Sequence, residues 1–425
     1  MGECEVGLAA ATYVILGLSV LSAERLVIYE SEHSEILQGT AHSTRAPHGL
    51  EQLFGTGVTW GTALTQVYQQ NTHGGLSTDS GSGRYAGSYD IQASADMEKI
   101  LGWRDSTAYM LLEGGWPRDG SIDPAAVGSC FGVNADAIGG EWIDVAELWF
   151  LRSFADDRLF VQVGKADLSA GIEYRDVVSA FDLNRYANDE TSQFLNNAFA
   201  NNPTIPFPAY TLALSAVAKP CDSWQFAAAG AAQSCDADID ETASWASDDE
   251  GLFFIAQVSF LPEALTDDPL WAGEYHVGAW WTGGGDLTSR DELTGAYLSA
   301  AREIFRESDD PNDEQGLGLF VRGGWADGDA VTLDGFWSVG LQYRGLIELR
   351  DEDVLGVAFA RGTFAGSDSL AGLDGSEQAV ELYYSVAISR TVFLSPDIQY
   401  VADPDGEAGS DDALIAGLRA RILIE

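Results

Sequence analysis

The sequence predicts an all-β protein, a transmembrane antiparallel up-and-down β-barrel of about sixteen strands with an inward-folded constriction loop. Three observations lead to this fold class. From Thr56 to the C-terminus, segments of about ten residues alternate between apolar and polar side chains. The connectors between these segments alternate between short and long. The last segment carries two arginines on the face opposite its leucines.

The stretch "FWSVGLQYRGL", residues 336–346, shows the alternation. Successive side chains of a strand point to opposite faces, so Trp337 and Leu341 share one face and Gln342 and Arg344 the other. A soluble sandwich would bury the first face, whereas a membrane barrel turns it toward lipid and keeps the second in a wet lumen. The same pattern predicts strands near 57–69, 84–96, 104–114, 142–153, 157–167, 209–219, 223–233, 251–260, 271–282, 294–305, 316–326, 336–347, 354–363, 377–388, 391–401 and 413–424.

The connectors decide between the two alternatives. The short ones include "FADDR", "KPCDS" and "SRT", and they alternate with long ones such as "NTHGGLSTDSGSG" and "GGWPRDGSIDPAAVGSCFGVNADAIGG". An outer-membrane barrel has short periplasmic turns and long outer loops, whereas a soluble sandwich has no reason to separate connectors in this way. We therefore expect lipid outside the barrel and water inside.

The last strand, "ALIAGLRARILIE", supports the same choice. Leu414, Leu418 and Ile422 share one face, and Arg419 and Arg421 lie on the other. Two arginines in the core of a sandwich would need buried partners, at a high desolvation cost. In a water-filled lumen this cost is small. The strand therefore predicts a polar interior.

One long connector, 168–208, has apolar residues of its own, among them Phe181, Phe194 and Phe199. A connection of this length with such residues should not extend into solvent. We expect it to fold into the mouth of the barrel, where it buries these side chains and narrows the pore. The alternative is an outer lid without a gating role.

Composition sets further limits. Acidic residues outnumber basic ones by 66 to 22, for a formal net charge of -44, which argues against a nucleic-acid partner. One apolar run near the N-terminus, "GLAAATYVILGLSVLSA", predicts a signal peptide over residues 1–23, or alternatively a membrane anchor. After this segment we expect a periplasmic linker over residues 24–52 and then the barrel domain over residues 53–425.

Several segments resemble the carbohydrate-selective porin (OprB) family of bacterial outer membranes. They are "VELYYSVAISRTVFLSPDIQYVADPDG" with the later "GLRARI", "GLGLFVRGGWADGD", and "LWFLRSFADDRLFVQVGKADL". Together they span roughly residues 50 to 425. The resemblance implies an outer-membrane pore, not an enzyme, that needs no cofactor. It would pass small sugars, monosaccharides such as glucose, into the periplasm by passive diffusion. The alternative is a general or cation-preferring porin.

A sugar pore needs hydrogen-bonding side chains that face water, and arginine offers a planar set of donors. The candidates on the strands share the predicted lumen face: Arg344, Arg322, Arg419, Arg421, Gln342, Gln399, Asp397 and Gln162. The candidates on the long connector are Arg175, Asp176, Asp182, Asn184 and Arg185. We expect the arginines to form one ladder of cations along the pore. Each residue taken alone is better explained as a solvated lumen side chain paired with a neighbouring carboxylate.

The cysteines and acidic connectors allow three further expectations. Cys221 falls in a short turn, one strand (roughly 35 Å) from Cys235, too far for a bond, so we expect any disulfide to join Cys130 and Cys235. No defined metal site is expected, because the acidic runs lack the full spacing of a calcium loop. Outer acidic loops could bind lipopolysaccharide through divalent cations, and the barrel is a monomer or a homotrimer.

Overall fold

Sixteen strands close into one antiparallel barrel in a computed structural model. The structure describes residues 57–79, 82–117, 120–137, 143–169, 172–174, 177–179, 181–208, 210–233, 251–262, 273–283, 292–308, 313–327, 331–366, 373–406 and 411–424. The predicted signal peptide and linker lie outside this part of the chain. Within it, no helix is long and apolar enough to cross a membrane.

The barrel strands confirm the predicted order, and most bounds agree within a few residues. They are β1 (Val58–His73), β2 (Gly83–Asp96), β3 (Ser106–Trp116), β4 (Asp144–Phe154), β5 (Leu159–Ala166), β8 (Thr211–Cys221), β9 (Trp224–Gln233), β10 (Gly251–Phe260), β11 (Gly273–Gly283), β12 (Glu292–Arg306), β13 (Gly316–Ala326), β14 (Leu333–Arg344), β15 (Val354–Phe364), β16 (Ser376–Ala387), β17 (Val392–Ala402) and β18 (Ala413–Ile424).

The remaining elements are short and lie in connectors. Helix α1 (Met97–Leu101) follows β2, and helix α2 (Asn197–Ala200) precedes β8. Strands β6 (Ile172–Tyr174) and β7 (Val177–Ser179) form a separate two-stranded sheet. A π-helical turn covers Asp123–Val127, and a 3-10 turn covers Pro404–Gly406.

Closure of the barrel depends on β1 and β18, which pair antiparallel from Thr62 opposite Ile424 to His73 opposite Leu414. Every other barrel strand pairs with its neighbours along the chain, and β5 pairs with β8 across the long connector. The first strand is longer than predicted because the polar residues Gln70 and Asn71 continue the ladder with β18. The backbone pairing with β18 therefore extends β1 beyond the end of the alternating side-chain pattern.

The two faces of the wall agree with the prediction of lipid outside. On β14, Trp337 is 47% exposed and its neighbour Ser338 is fully buried. On β18, Leu414, Leu418 and Ile422 point outward, while the arginines between them point inward. The apolar face is therefore the outer face, which a membrane can cover.

The short and long connectors separate to the two ends of the barrel. Residues 155–158 and 222–223 are short turns at the end where β1 begins and β18 ends. The connectors 117–143 and 167–210 lie at the opposite end. One connector at the first end, 261–272, is longer than its neighbours. In outer-membrane barrels the end with short turns faces the periplasm.

The connector 117–143 departs from the prediction of an outer loop. The carbonyl of Val133 accepts hydrogen bonds from Gln69 Nε2 at 2.8 Å and from Gln399 Nε2 at 2.9 Å, and both glutamines lie on the inner wall. The Cys130 amide donates to Glu377 Oε2 at 2.7 Å. This connector therefore enters the lumen and takes Cys130 with it. Cys235 lies outside the described residues, so the disulfide stays a prediction.

Packing between adjacent strands predicts one sensitive position, Gly340. A Cβ atom there would lie 2.3 Å from Phe320 Cε1 and 2.7 Å from Ala358 Cβ. We expect Gly340→Val to destabilise the barrel by about 1–3 kcal/mol, because these neighbours must move. The measurement is the temperature at which the folded band disappears on an SDS gel. Gly335→Val is the control, since a Cβ there meets only Thr363, at 3.8 Å. Equal temperatures for the two variants would contradict the prediction.

Candidate functional site in the barrel lumen

The connector 167–210, called the constriction connector below, crosses the lumen against the inner wall. The Asp182 amide donates to Gln257 Oε1 of β10 at 2.9 Å, and Asn184 Nδ2 donates to Ser299 Oγ of β12 at 3.1 Å. Further along, Asn196 Nδ2 donates to Gln399 Oε1 of β17 at 3.0 Å. Contacts on strands so far apart around the barrel confirm an inward-folded segment instead of an outer lid.

The apolar side chains of the constriction connector are buried, as expected. Phe181, Phe194 and Phe199 are each no more than 2% exposed. The Phe194 ring lies 5.0 Å from that of Tyr383 and 5.7 Å from that of Phe320, both edge to face. Aromatic pairs in this geometry add to the free energy of burial. The connector is therefore packed against β13 and β16 and does not float in water.

Arg322 of β13 anchors this connector. Its side chain is fully buried, and it donates to the carbonyls of Phe199 at 2.8 Å, Asp182 at 3.0 Å and Ala187 at 2.7 Å. Its Nε also lies 2.9 Å from Asp182 Oδ2. The alternation in the sequence predicts that Arg322 lines the pore. In the structure it lies beneath the connector, and its donors are occupied by that segment.

The ion pair between Arg322 and Asp182 depends on the protonation of the carboxyl group. Burial raises the pKa of Asp182 to about 7, although the nearby guanidinium opposes the shift. The carboxylate is therefore charged, and the pair complete, only at pH values above this pKa. The carbonyl contacts of Arg322 do not depend on pH in this range.

Arg419 and Arg421 of β18 point inward as predicted, and they also hold the constriction connector. Arg419 donates to the carbonyl of Gln193 at 2.7 Å and to that of Glu190. Arg421 Nη1 lies 3.3 Å from Thr191 Oγ1 and 3.8 Å from Asp189 Oδ2. Both side chains are nearly fully buried. These guanidinium groups contact the constriction connector, whereas we predicted that they would face water in the lumen.

Arg344 does not join the other arginines, and the expected ladder of cations is therefore wrong for this member. It ends β14 at the periplasmic side and forms ion pairs with Glu314 and with Glu352, the latter at 2.5 Å. Because Glu314 and Glu352 lie in two neighbouring turns, Arg344 links these turns through its ion pairs. It lies on the lumen face, but at the rim and not beside the connectors.

The remaining predicted polar residues fall into three groups. Gln399 and Asp397 share a hydrogen bond of 3.0 Å on the inner wall of β17, where Gln399 also contacts the connector 117–143. Gln162 is buried on the inner face of β5. Arg175 and Asp176 lie outside the described residues. Of the predicted polar residues on late strands, Gln399 thus contacts both connectors, through Asn196 and through the Val133 carbonyl.

Two carboxylates of β16 that bind connector backbone are absent from the residues predicted from the sequence. Glu377 accepts from Ser129 Oγ at 2.5 Å and from the Asp405 amide at 2.9 Å. Glu381 accepts from the amides of Leu195 at 2.7 Å and Asn196 at 2.8 Å. Each glutamate therefore holds one connector. Both glutamates lie on the inner face. The same alternation of side chains that indicated inward-facing arginines could therefore have identified them.

Two predicted residues, Arg185 and Gln342, remain partly accessible inside the barrel together with Tyr186, which was not predicted. Arg185, Tyr186 and Gln342 are half-buried, and we call them the Tyr186 platform. The ring of Tyr186 lies over Gly318, where an added Cβ would come within 2.1 Å of Tyr186 Cζ. Gln342 is opposite Gly318 in register and donates to the Tyr383 hydroxyl at 2.7 Å.

Backbone contacts fix this platform in place. The Arg185 amide donates to Glu274 Oε1 at 2.7 Å, and the Tyr186 amide donates to Asn184 Oδ1 at 3.2 Å. Burial raises the pKa of Tyr186 to about 12, so its hydroxyl stays protonated near neutral pH. An aromatic ring, a guanidinium and a carboxamide thus belong to partly accessible residues of the lumen, and the ring and the carboxamide lie on either side of Gly318.

This architecture, a sixteen-stranded barrel with lipid outside and two connectors folded into its lumen, defines a porin of the bacterial outer membrane. Residues 80–423 match the carbohydrate-selective porin, OprB family, and the chain belongs to that family. Porins are channels and not enzymes. The resemblance drawn from the sequence is confirmed.

Individual relatives agree in fold and length. Porin B of Pseudomonas aeruginosa is 21% identical over 404 residues, which cover 83% of this chain and 84% of the relative. The high-pH structure of OprB from Pseudomonas putida superposes with a TM-score of 0.73 at 18% identity, over 89% of this chain and 96% of that one. The outer membrane channel DcaP of Acinetobacter baumannii gives a TM-score of 0.51 at 8% identity, over 86% and 97%.

The anchoring role of Arg322 is testable by its replacement with methionine. Removal of one partner of a buried ion pair costs about 3–5 kcal/mol, so we expect Arg322→Met to loosen the constriction connector while the barrel persists. The measurement is single-channel conductance in planar bilayers, which should rise. Arg361→Met is the control, because Arg361 is exposed on the outer face of β15. A conductance equal to that of the unmodified protein would contradict the anchoring role.

Proposed function

We propose that this porin passes small neutral sugars, monosaccharides such as glucose, from outside the cell into the periplasm by passive diffusion. The observation that carries the proposal is the Tyr186 platform in the narrowed lumen. Membership in a carbohydrate-selective family supports the substrate class.

The chemistry of the platform suits a hexose. A sugar ring has an apolar face of C–H groups, which packs on an aromatic ring, and a rim of hydroxyl groups that both donate and accept hydrogen bonds. Tyr186 would contact the apolar face. Arg185 and Gln342 would bind hydroxyl groups at the rim. Because a pore must release its solute, a few contacts of this kind suit passage better than a closed site.

Selectivity for sugars is testable by liposome swelling with the purified, refolded protein. We expect faster swelling with glucose than with an amino acid of similar size, and slower swelling with a disaccharide. The first comparison isolates chemistry from size, and the second measures the width of the passage. Equal rates for glucose and the size-matched amino acid would contradict sugar selectivity and leave a size-limited pore.

The same assay tests the platform with Tyr186→Ala. Loss of the ring removes the apolar contact and widens the passage, so the preference for glucose over the amino acid should fall toward one while both rates rise. Tyr343→Ala is the matched control, since Tyr343 is a half-buried tyrosine on the lipid face beside Gln342. If Tyr186→Ala kept the full preference for glucose over the amino acid, another part of the lumen would have to select for sugars.

A cation-preferring pore is the second candidate, favoured by the charges on the inner wall. Among the described strand residues that are buried on the inner wall, carboxylates such as Glu274, Glu381 and Asp397 outnumber the cations, which are Lys165, Arg322, Arg419 and Arg421. A wall with excess negative charge raises the local concentration of cations. We expect the reversal potential in a KCl gradient to show K⁺ more permeant than Cl⁻. A reversal potential of opposite sign would exclude this preference.

A further inference from the structure

Four carboxyl groups lie close enough to interact electrostatically where both connectors contact the wall of β1–β3. Asp90 of β2 lies directly opposite Glu113 of β3 in register, on the inner face. Asp136 comes from the connector 117–143 and Glu190 from the constriction connector. All four side chains are at most 4% exposed. We call this group the carboxyl cluster.

The cluster is short of hydrogen-bond donors. Ser88 Oγ donates to Asp136 Oδ1 at 2.6 Å, and the Tyr210 hydroxyl donates to Glu113. Among the described residues, however, neither oxygen of Asp90 has a hydrogen-bond partner, and the carboxyl group of Glu190 has no donor beyond its own backbone amide. A buried carboxylate without donors is strongly unfavourable in its charged form. The close packing is therefore compatible with these groups only when most of them carry a proton.

A separate observation concerns Thr65 of β1, which lies directly opposite Ser88 in register. Its side chain is 1% exposed, and its Oγ1 also has no partner among the described residues. An uncharged carboxyl group both donates and accepts, whereas a carboxylate only accepts. A protonated cluster can thus form hydrogen bonds between its own members, whereas the Thr65 hydroxyl can bind either form. An ionised cluster cannot supply the missing donors.

The charged groups around the cluster do not neutralise it. Asp189 and Asp167 add negative charge from the constriction connector. Arg419 and Arg421 of β18 are the cations on the other side, but Arg419 donates to the carbonyls of Glu190 and Gln193, and Arg421 lies 3.8 Å from Asp189. Tyr210 stays neutral near physiological pH and contributes only its hydroxyl donor.

We propose that the carboxyl cluster is a proton-dependent latch on the pore. When its members are protonated, the two connectors pack against the β1–β3 wall and keep the lumen narrow. When they ionise, like charges at close range repel, and Asp136 and Glu190 move away from the wall with their connectors. The two connectors are coupled directly, since the Ala135 amide donates to the Leu195 carbonyl at 2.8 Å. Release of one therefore loosens the other.

The direction of the pH dependence follows from the two connector groups. Burial raises the pKa of Asp136 to about 7 from its ordinary value of 3.8, although Ser88 and Arg419 oppose the shift. Burial, together with Asp189, Asp136 and Glu113, raises the pKa of Glu190 well above its usual range. Such groups favour the packed arrangement fully below their ordinary pKa. That preference is lost as the pH rises through the raised pKa, so the pore should open toward neutral and alkaline pH.

The test is single-channel conductance in KCl, without sugar, at a series of pH values. For Asp136 alone, the ratio of latched to released molecules should fall ~100-fold between ~pH 5 and ~pH 8. We therefore expect the mean conductance to rise about twofold or more over that range. A double variant, Asp136→Asn with Glu190→Gln, cannot ionise at these positions. It should remain at the low-conductance level throughout.

Two further proteins make the result decisive. Glu348→Gln, at an exposed position in a periplasmic turn, should keep the response of the unmodified protein. Asp90→Asn with Glu113→Gln changes the wall side of the same cluster and should flatten the response as well. A conductance of the unmodified protein that does not change with pH would overturn the latch, as would amide variants that still respond. Heat-dependent mobility on SDS gels verifies that each variant is folded, and salt conductance keeps this test independent of sugar selectivity.

Discussion

The whole structure depends on the rule that backbone polar groups inside a membrane must find partners within the protein. A sheet meets this rule only by closing on itself, and here β1 closes on β18. Closure creates an interior that the wall alone does not fill. The chain fills it with two of its own connectors, 117–143 and 167–210, whose backbone then needs partners too. The inner wall supplies them.

The partners are charged side chains matched to the backbone groups they meet. Arg322 and Arg419 donate to carbonyls of the constriction connector, whereas Glu377 and Glu381 accept from amides of the two connectors. Hydrogen bonds with one charged partner are stronger than neutral ones, and they are stronger still when shielded from water. Arginines that the sequence suggests as a solute-binding ladder therefore bind the two connectors that narrow the pore.

Side-chain alternation was sufficient to predict the barrel, its strand order and the inward direction of Arg419 and Arg421. It was not sufficient to say what those residues meet. A hydrogen bond to a backbone carbonyl leaves no mark on the sequence of the segment that supplies the carbonyl. The entry of 117–143 into the lumen was missed for a different reason. Its apolar residues, such as Ile122, Phe131 and Val133, are scattered among glycines and carboxylates without a helix or strand period, yet they are buried in the structure.

The anchoring of the constriction connector through its main chain also bears on how such a pore can change over evolutionary time. Arg322 contacts Phe199, Asp182 and Ala187 through their carbonyls, which every amino acid possesses. Substitutions along the connector therefore leave these anchors in place, provided the backbone keeps its course. Mutation can alter the side chains presented to the passage, such as Tyr186, without rebuilding the support beneath them. A barrel of this design can acquire a new solute preference by small steps, each of which still yields an assembled channel.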